Sequence, residues 1–177
     1  MRKNCKRVKR ELKNKGSIID YYQDTMEFSN GNHETWDFVD HKGAAAMVAV
    51  TDDKKLVMVR QYRNALEQEM LEIPAGGKNP DESMQQAAVR ELLEETGYQA
   101  KNSKYLLSIR TTIAFCNERI DIYKADHLSM QHQHLDENEC VTVEEYSLDE
   151  LLLMIREGKI TDSKTICAIL YYSQFEK

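Results

Sequence analysis

One segment constrains this chain more than any other: residues 76–98, which read GGKNPDESMQQAAVRELLEETGY. Asn79 can cap a helix, with Pro80 at its first position and Glu82 reaching back in a capping box. Gly97 can supply the left-handed residue that ends many helices. The segment therefore predicts one helix between Asn79 and Gly97.

Three glutamates of this predicted helix lie close together. Glu91 and Glu95 are one turn apart on one face, and Glu94 lies beside Glu91 at the neighbouring helical spacing. Like charges at these spacings repel, so a hard divalent cation with oxygen ligands, such as Mg²⁺, would stabilise the cluster. The alternative is a solvated acidic face, which most Glu-rich helices present.

The complete string decides between these two interpretations, because it resembles the Nudix box. Tyr98 differs slightly, since a smaller aliphatic residue is usual there. The matching positions are Gly76, Glu82, Arg90, Glu91, Leu92, Glu94, Glu95 and Gly97. The resemblance identifies the chain as a Nudix hydrolase. It implies an α/β fold, the Nudix α/β/α sandwich, with a mixed central sheet and a loop-helix-loop catalytic motif.

The resemblance also implies roles for residues of the box. The metal ligands would be side chains of the helix together with one backbone carbonyl: Glu91, Glu94, Glu95 and the carbonyl of Ala75. The remaining residues would hold the motif together, although Glu82 could instead reach the metal through water: Gly76, Glu82, Arg90 and Gly97. Metal ions bound there would neutralise a pyrophosphate and make water a better nucleophile.

Segments outside the box resemble ADP-ribose pyrophosphatases, namely residues 59–63 (VRQYR), 71–77 (LEIPAGG) and 158–165 (GKITDSKT). Those enzymes cleave ADP-ribose to AMP and ribose 5-phosphate. They are commonly homodimers whose N-terminal strands help shape the partner's adenine pocket. We therefore expect a Mg²⁺-dependent enzyme, with Mn²⁺ as a possible substitute, that acts on ADP-ribose or a related nucleoside diphosphate sugar. Residues 1–40 would form a basic leader and strands for dimerisation and adenine recognition, and residues 41–177 the Nudix hydrolase domain.

A general base is still needed, and the polar segment 136–139 (DENE) resembles the acidic loop that supplies it in these pyrophosphatases. We assign Glu137 as the base and Glu139 as an additional metal ligand or water-positioning group. The reverse assignment remains open. The alternative is a solvated loop without a catalytic role.

Four residues outside the box are candidates for substrate binding. Guanidinium groups match phosphate oxygens, so Arg63 and Arg60 could clamp phosphate, or they could belong to a charged surface strand. Trp36 could stack on adenine, or it could be a core or interface residue. Glu118 lies where the family has a loop that faces ribose or metal.

One departure from the family pattern concerns the substrate. Ile113 stands where ADP-ribose-cleaving members usually have proline. GDP-mannose or another nucleoside diphosphate derivative therefore remains an alternative substrate. A non-catalytic nucleotide-sensing Nudix domain is a second alternative, although such domains typically lose box glutamates. The related isopentenyl diphosphate isomerases need a catalytic cysteine motif, and Cys116 is poorly placed for that role.

Charge and composition exclude other classes. The net charge is −6 although the first fifteen residues are rich in Lys and Arg, so the body is strongly acidic and we expect no nucleic-acid binding. The basic leader is expected to be a solvated tail or the lead-in to a first strand. No apolar run could cross a membrane, and the N-terminus has no signal-like apolar region. Four scattered cysteines indicate free thiols and a cytoplasmic protein.

Hydrophobic patterning predicts several strands around the box helix and two helices near the end. Residues 29–32 (SNGN) have the chemistry of a turn between the first two strands. The continuous apolar run at 44–50 indicates a strand covered on both faces, with the next strand as its partner. Strands are expected at 17–28, 35–40, 44–50, 55–62, 105–110, 119–125 and 141–146, and helices at 148–157 and from 161 or 162 onward.

Overall fold

The computed structural model describes residues 4–135 and 140–176. The chain divides into two compact units. The first unit is Met1–Gly43 with Arg110–Arg119, and the second unit is Ala44–Ile109 with Ile120–Lys177. The strands are β1 Cys5–Lys15, β2 Ile19–Phe28, β3 His33–His41, β4 Ala44–Ala49, β5 Leu56–Arg63, β6 Gln68–Glu72, β7 Ala75–Gly77, β8 Tyr98–Ala100, β9 Lys104–Arg110, β10 Arg119–Ala125, β11 Leu128–Met130 and β12 Val141–Tyr146. The helices are α1 Met84–Thr96, α2 Leu148–Arg156 and α3 Ser163–Phe175. None of the helices in these described residues is long and apolar enough to span a bilayer.

The first unit is built on an antiparallel sheet in the order β1-β2-β3. Residues 5–15 of the basic leader form β1, so this part of the leader is a strand rather than a solvated tail. Arg10 on this strand binds Asp24 of β2 through two hydrogen bonds of 2.6 Å and lies 3.6 Å above the Phe38 ring of β3. This one side chain therefore links all three strands. The predicted turn between β2 and β3 is present, with Gly31 at a φ of 83°.

The second unit contains a four-stranded sheet, β7-β4-β10-β9, and a three-stranded sheet, β12-β5-β6. Strand β4 pairs in parallel with β10 and antiparallel with β7, so the sheet is mixed. The expectation that β4 and β5 pair along their length was wrong. They meet at an isolated bridge between Val50 and Leu56, and β5 lies between β12 and β6. A hairpin-like spacing in sequence did not determine the pairing, because β4 pairs instead with β10 and β7, and β5 with β12 and β6.

Alternate side chains of β4 pack into two separate cores. Ala45, Met47 and Ala49 pack with Ala87, Ala88 and Leu92 of α1. Ala46 and Val48 pack with buried residues of α2 and α3, among them Leu151 and Ile169. Successive side chains of a strand point to opposite faces, so the sheet carries α1 on one face and α2 and α3 on the other. The predicted α/β/α sandwich is confirmed.

The start of α1 differs from the prediction. Ser83 caps the helix, its side chain accepting from the Gln86 amide at 3.2 Å while the Gln86 side chain accepts from the Ser83 amide at 2.8 Å. The expected contact between Glu82 and the Asn79 amide does form, at 2.6 Å, but it closes a turn just before the helix. Both sites satisfy the same capping pattern.

The end of α1 follows the prediction and provides a stability test. Gly97 has a φ of 74°, and a Cβ there would lie 2.9 Å from the Gln131 carbonyl oxygen. Gly97→Ala should therefore lower the free energy of unfolding by about 1–2 kcal/mol from the left-handed backbone alone, and by more because of the close contact. The measurement is chemical denaturation of both proteins. Gly158→Ala is the matched control, because Gly158 has a φ of 72° and open space around its Cβ position. A cost no larger than that of Gly158→Ala would contradict the role of the Gln131 contact.

Candidate functional site

The box helix lies against the short strand β7, and each residue of this strand is contacted by one charged residue of α1. The Ala75 amide donates to Glu95 Oε2 at 2.9 Å. Gly76 faces Glu91 so closely that a Cβ would lie 2.1 Å from the carboxyl carbon. The Gly77 carbonyl accepts from Arg90 Nη2 at 2.7 Å. The strand therefore holds two carboxylates, one helical turn apart, against its backbone.

Arg90 joins the acidic residues of the motif. Its guanidinium binds Glu82 at 2.8 Å, Glu91 at 2.8 Å and Glu94 at 2.6 Å. Hydrogen bonds to Glu82 are the largest cause of a strongly raised Arg90 pKa, and the same bonds lower the pKa of Glu82. Arg90 and Glu82 therefore stay charged at neutral pH, and the arginine compensates part of the repulsion between the glutamates.

Glu95 is the most enclosed of the helix glutamates, since the residue is only 4% exposed. One oxygen accepts from the Ala75 amide, and the other lies 3.5 Å from Gln61 Nε2 on β5. A buried carboxylate needs such partners. Gln61 was not singled out from the sequence. Its place on the β5 strand face that meets α1 becomes visible only when the strands are paired.

A divalent cation fits the chemistry of this donor set. Glu91, Glu94 and Glu95 offer hard carboxylate oxygens, and Gly76 leaves the Glu91 carboxylate room that any other side chain would fill. In residues 4–135 and 140–176 no three His, Cys, Asp or Glu side chains already form a metal-binding group. Arg90 is one reason why these carboxylates do not converge on a common point, because it binds both Glu91 and Glu94.

Arg63, a candidate phosphate ligand, belongs to a largely buried ionic network. It donates to Glu72 through Nε at 2.7 Å and Nη2 at 2.6 Å. Lys164 also binds Glu72, and its Nζ lies 2.9 Å from Asp162. Burial would raise the pKa of Glu72, but Arg63 and Lys164 together lower it below its usual value. Thr165 extends the network to the backbone, since its hydroxyl accepts from the Ile73 amide at 3.0 Å.

This network makes stability depend on pH. The pKa of Glu72 is lower in the folded state than in the unfolded chain, where it is about 4.3. Its contribution to stability is therefore complete above that value and is lost as the pH falls through the folded pKa. Glu72→Gln should unfold at lower denaturant concentration at pH 7, and its stability should change less than that of the wild type below about pH 4.3. The measurement is denaturation of both proteins from pH 7 to 3. An equal decrease in the free energy of unfolding of the two proteins over this range would contradict the prediction.

Arg60 and Glu118 are paired within their own units. Arg60 binds Glu144 of β12 at 2.5 and 3.2 Å, and that bond is the main cause of its raised pKa. In the first unit, Glu118 accepts from the Thr111 hydroxyl at 2.5 Å, and His41 Nδ1 lies 3.5 Å from it. Among the described residues, Arg60 makes these bonds to β12 and none to a box glutamate.

Trp36 lies in the first unit, where it lines an open cavity of about 670 Å³. The residue is 44% exposed, and its ring meets Phe28 edge to face, with ring centroids 6.1 Å apart. Ile113, at the position of the expected proline, is 82% exposed. The cavity is lined by Tyr21, Thr35, Trp36, Asp37, Val39, Ala114 and Phe115.

Residues 131–134, which precede the acidic segment 136–139, are hydrogen-bonded to the end of α1. The Gln131 amide donates to the Gly97 carbonyl at 2.7 Å, and the His134 amide to the Glu94 carbonyl at 3.0 Å. Gln133 donates through its side chain to the Glu95 carbonyl at 2.5 Å. These bonds satisfy carbonyls that a helix end leaves unpaired. Glu137 and Glu139 lie outside the described residues.

Glu72 and Lys164 also went unassigned in the sequence, although both stand in segments that resemble the pyrophosphatases. The available signal was Glu72 itself, a charge between Leu71 and Ile73 in an otherwise apolar run. A buried carboxylate requires a cation, and the sequence does not show which distant residue supplies it.

Comparison with known proteins agrees with this fold. The NUDIX domain model matches residues 40–168. The ADP-ribose pyrophosphatase of Bacillus subtilis is 39% identical over 88% of this chain and 85% of its own length. The methanol dehydrogenase activator of Bacillus methanolicus is 40% identical over 94% of this chain and 91% of its own length. A crystal structure of an ADP compounds hydrolase superposes with a TM-score of 0.86, at 21% identity, over 98% of this chain and 94% of that one.

The chain therefore belongs to the Nudix family. Within that family it is a hydrolase that resembles the ADP-ribose pyrophosphatases, as the sequence predicted.

Proposed function

We propose that this protein is a Mg²⁺-dependent pyrophosphohydrolase that cleaves ADP-ribose to AMP and ribose 5-phosphate. The observation that carries the proposal is the packing of Glu91 and Glu95 against consecutive residues of β7, within a motif that retains every box glutamate. The resemblance to the Bacillus subtilis ADP-ribose pyrophosphatase over most of both chains supports the substrate class. A related nucleoside diphosphate sugar such as GDP-mannose is the alternative substrate.

The residues that would hold the metal are Glu91, Glu94, Glu95 and the backbone carbonyl of Ala75. The chemistry that such an ion supplies is neutralisation of the diphosphate and a lower pKa of bound water. Mn²⁺ offers a similar preference for oxygen ligands. Arg90 fixes the acidic groups relative to one another, which lets the helix carry them before substrate arrives. Outside the box, Arg63 would bind the diphosphate.

The general base is proposed to come from the acidic loop, with Glu137 as the base and Glu139 as a metal-binding or water-positioning group. Glu137→Gln should lower kcat by roughly a hundred- to ten-thousandfold, the usual contribution of general-base catalysis, while substrate binding changes little. Glu139→Gln, the matched variant two residues away, should raise the metal requirement more than it lowers kcat. Steady-state kinetics across a magnesium titration separates the two effects. A larger kcat loss in Glu139→Gln would reverse the assignment, and normal kcat in both variants would exclude the loop.

Residues 1–40 are proposed to contribute dimerisation and base recognition, and residues 41–177 the hydrolase domain. The aromatic cavity that Trp36 lines in the first unit supports recognition of a planar base. A homodimer follows from the same proposal and would be measured by analytical ultracentrifugation. We place the protein in the cytoplasm, in keeping with the free thiols of Cys5, Cys116, Cys140 and Cys167.

The deciding experiment is incubation with Mg²⁺ and a panel of ADP-ribose, GDP-mannose, UDP-glucose, NADH and diadenosine polyphosphates, with the products separated by chromatography. AMP formed from ADP-ribose alone would support the proposal and show that Ile113 is compatible with this substrate. Preferred cleavage of another compound would show that this compound is the substrate and would leave the proposed metal chemistry unchanged. Binding of ADP-ribose without cleavage of any compound would favour a nucleotide-sensing domain.

A further inference from the structure

We propose that Lys164 is a positioning residue that acts through Glu72 to hold the guanidinium of Arg63 in the orientation that binds the substrate's diphosphate. The inference rests on the proposed function, because it names a residue that supports phosphate binding in that site. It concerns a lysine that touches neither the box helix nor β7 in the contacts described above.

Arg63 lies on the face of β5 that is turned toward the C-terminal end of α1, where Glu95 is buried. Side chains two residues apart on a strand point to the same face, so Arg63 shares a face with Gln61. Gln61 in turn lies 3.5 Å from the carboxylate of Glu95. Glu95 also contributes to the raised pKa of Arg63, after the larger effects of Glu72. The guanidinium is thus placed near the carboxylates proposed to hold the metal.

The Arg63 guanidinium keeps donors for a second anion. Its bonds to Glu72 use Nε and Nη2, and in the described part of the chain no hydrogen bond engages Nη1. The Arg63 side chain is 40% exposed, whereas that of Glu72 is 3% exposed. The buried Glu72 carboxylate therefore binds one edge of the Arg63 guanidinium, and the opposite edge can donate to a phosphate oxygen.

Lys164 is the second cation on this buried anchor. Its Nζ binds the same Glu72 oxygen, Oε2, that Arg63 Nη2 binds. Lys164 also contacts Asp162, at the start of α3. Asp162 caps that helix and accepts from the Thr165 amide at 3.0 Å and from its hydroxyl at 2.6 Å. Lys164 is therefore shared between Glu72 and Asp162, and it neutralises part of the charge of Glu72.

The consequence for Arg63 is electrostatic as well as geometric. With Lys164 present, two cations share the Glu72 charge, so the guanidinium retains attraction for an incoming diphosphate. Of these two cations, only Arg63 would remain beside Glu72 if Lys164 were lost, and the Glu72 carboxylate has almost no access to water. Glu72 would then hold the Arg63 guanidinium more tightly, and the guanidinium would attract a diphosphate less. Loss of Lys164 should therefore weaken substrate binding more than it slows the chemical step.

The test compares Lys164→Met and Lys164→Arg with Lys159→Met as the matched control. Lys159 is an exposed lysine of the same unit, 2.8 Å from Glu157, with a side chain that is 67% exposed. ADP-ribose binding is measured by calorimetry in EDTA, and KM and kcat are measured with Mg²⁺. Lys164→Met should raise Kd and KM about tenfold and change kcat by less than about threefold, while Lys164→Arg recovers most of the affinity. Lys159→Met should match the wild type.

Two further measurements separate positioning from general destabilisation. NMR of the arginine Nε–H groups should show the Arg63 signal exchanging more slowly with water in Lys164→Met, because its Nε–H is then held more tightly by Glu72, and unchanged in Lys159→Met. In the background of Arg63→Ala, Lys164→Met should cause no additional loss of affinity, because its effect passes through Arg63. Thermal unfolding of each variant confirms that folded protein is compared, and Lys164→Gln replaces Lys164→Met if the latter does not fold.

An unchanged Arg63 signal, an affinity loss that adds fully to that of Arg63→Ala, or a kcat loss exceeding the KM change would each overturn the inference. Failure of the proposed function has a different appearance: the wild type itself would neither bind nor cleave any compound of the panel. In that case inorganic pyrophosphate replaces ADP-ribose as the binding probe. The Arg63 signal and pyrophosphate affinity of Lys164→Met then decide the role of Lys164 on their own.

Discussion

Replacing Glu95 by Gln is expected to lower kcat/KM by roughly a thousandfold, because several kcal/mol of metal-based stabilisation correspond to a loss of that size. Glutamine has the same shape and keeps one oxygen that can accept from the Ala75 amide. The fold should therefore survive while the charge is lost. Glu91→Gln should behave in the same way, since Glu91 lies against the next residue of β7. Steady-state kinetics at several Mg²⁺ concentrations is the measurement.

A surface substitution of the same kind supplies the control. Glu157 pairs with Lys159, and its side chain is 42% exposed. Glu157→Gln should keep wild-type activity and metal dependence. Direct Mn²⁺ binding, followed by electron paramagnetic resonance, should weaken in Glu91→Gln and Glu95→Gln but not in the control. Near-normal turnover of either box variant at saturating Mg²⁺ would show that the metal ligands lie elsewhere.

The second large effect is expected from adding a single methyl group to β7. In Gly76→Ala the new Cβ would lie 2.1 Å from the carboxyl carbon of Glu91, a distance that no real contact allows. The Glu91 carboxylate is the mobile end of a side chain, so it should move instead of the backbone. Displacement of a catalytic group by about 1 Å can cost a hundredfold in rate, and we expect a loss of this order in kcat/KM with little change in stability.

Gly77→Ala provides the comparison within the same strand. A Cβ at Gly77 meets no atom within 4 Å, and the backbone carbonyl that binds Arg90 is retained. This variant should keep activity within about twofold, inside the range of ordinary surface substitutions. The two alanine variants differ by one position, so kinetics together with thermal unfolding isolates the effect on Glu91. Equal activities would mean that the position of the Glu91 carboxylate is unimportant for turnover.

Local patterns in the sequence predicted the parts of this fold that local physics determines. The end of α1 at Gly97 followed from the need for a left-handed residue, and strands β10 and β12 agree with the predicted ranges. The start of α1 was misassigned because two capping patterns overlap within a few residues, and Ser83 rather than Asn79 forms the cap. Strand β1 lacks an apolar alternation. Its strand structure comes from pairing with β2.

The candidate site shows the same division. The glutamates of α1 share a face because helical spacing dictates it, so the sequence alone could group them. The partners of Glu95 and Glu72 are set by long-range packing instead. Gln61 and Lys164 reach these carboxylates from a strand and a helix far away in sequence, and spacing carries no information about such contacts.

The position and charge of strand β1 affect how readily the protein aggregates. It is the outer strand of its sheet, and the open backbone of such a strand can recruit strands from other molecules. Here the pairing with β2 is interrupted by shifts between Arg7 and Lys9 and between Leu12 and Asn14. These irregularities twist the edge, and the many Lys and Arg side chains repel a second copy of it. We therefore expect β1 to oppose aggregation through its edge, and stable association between copies to use a face of the sheet instead.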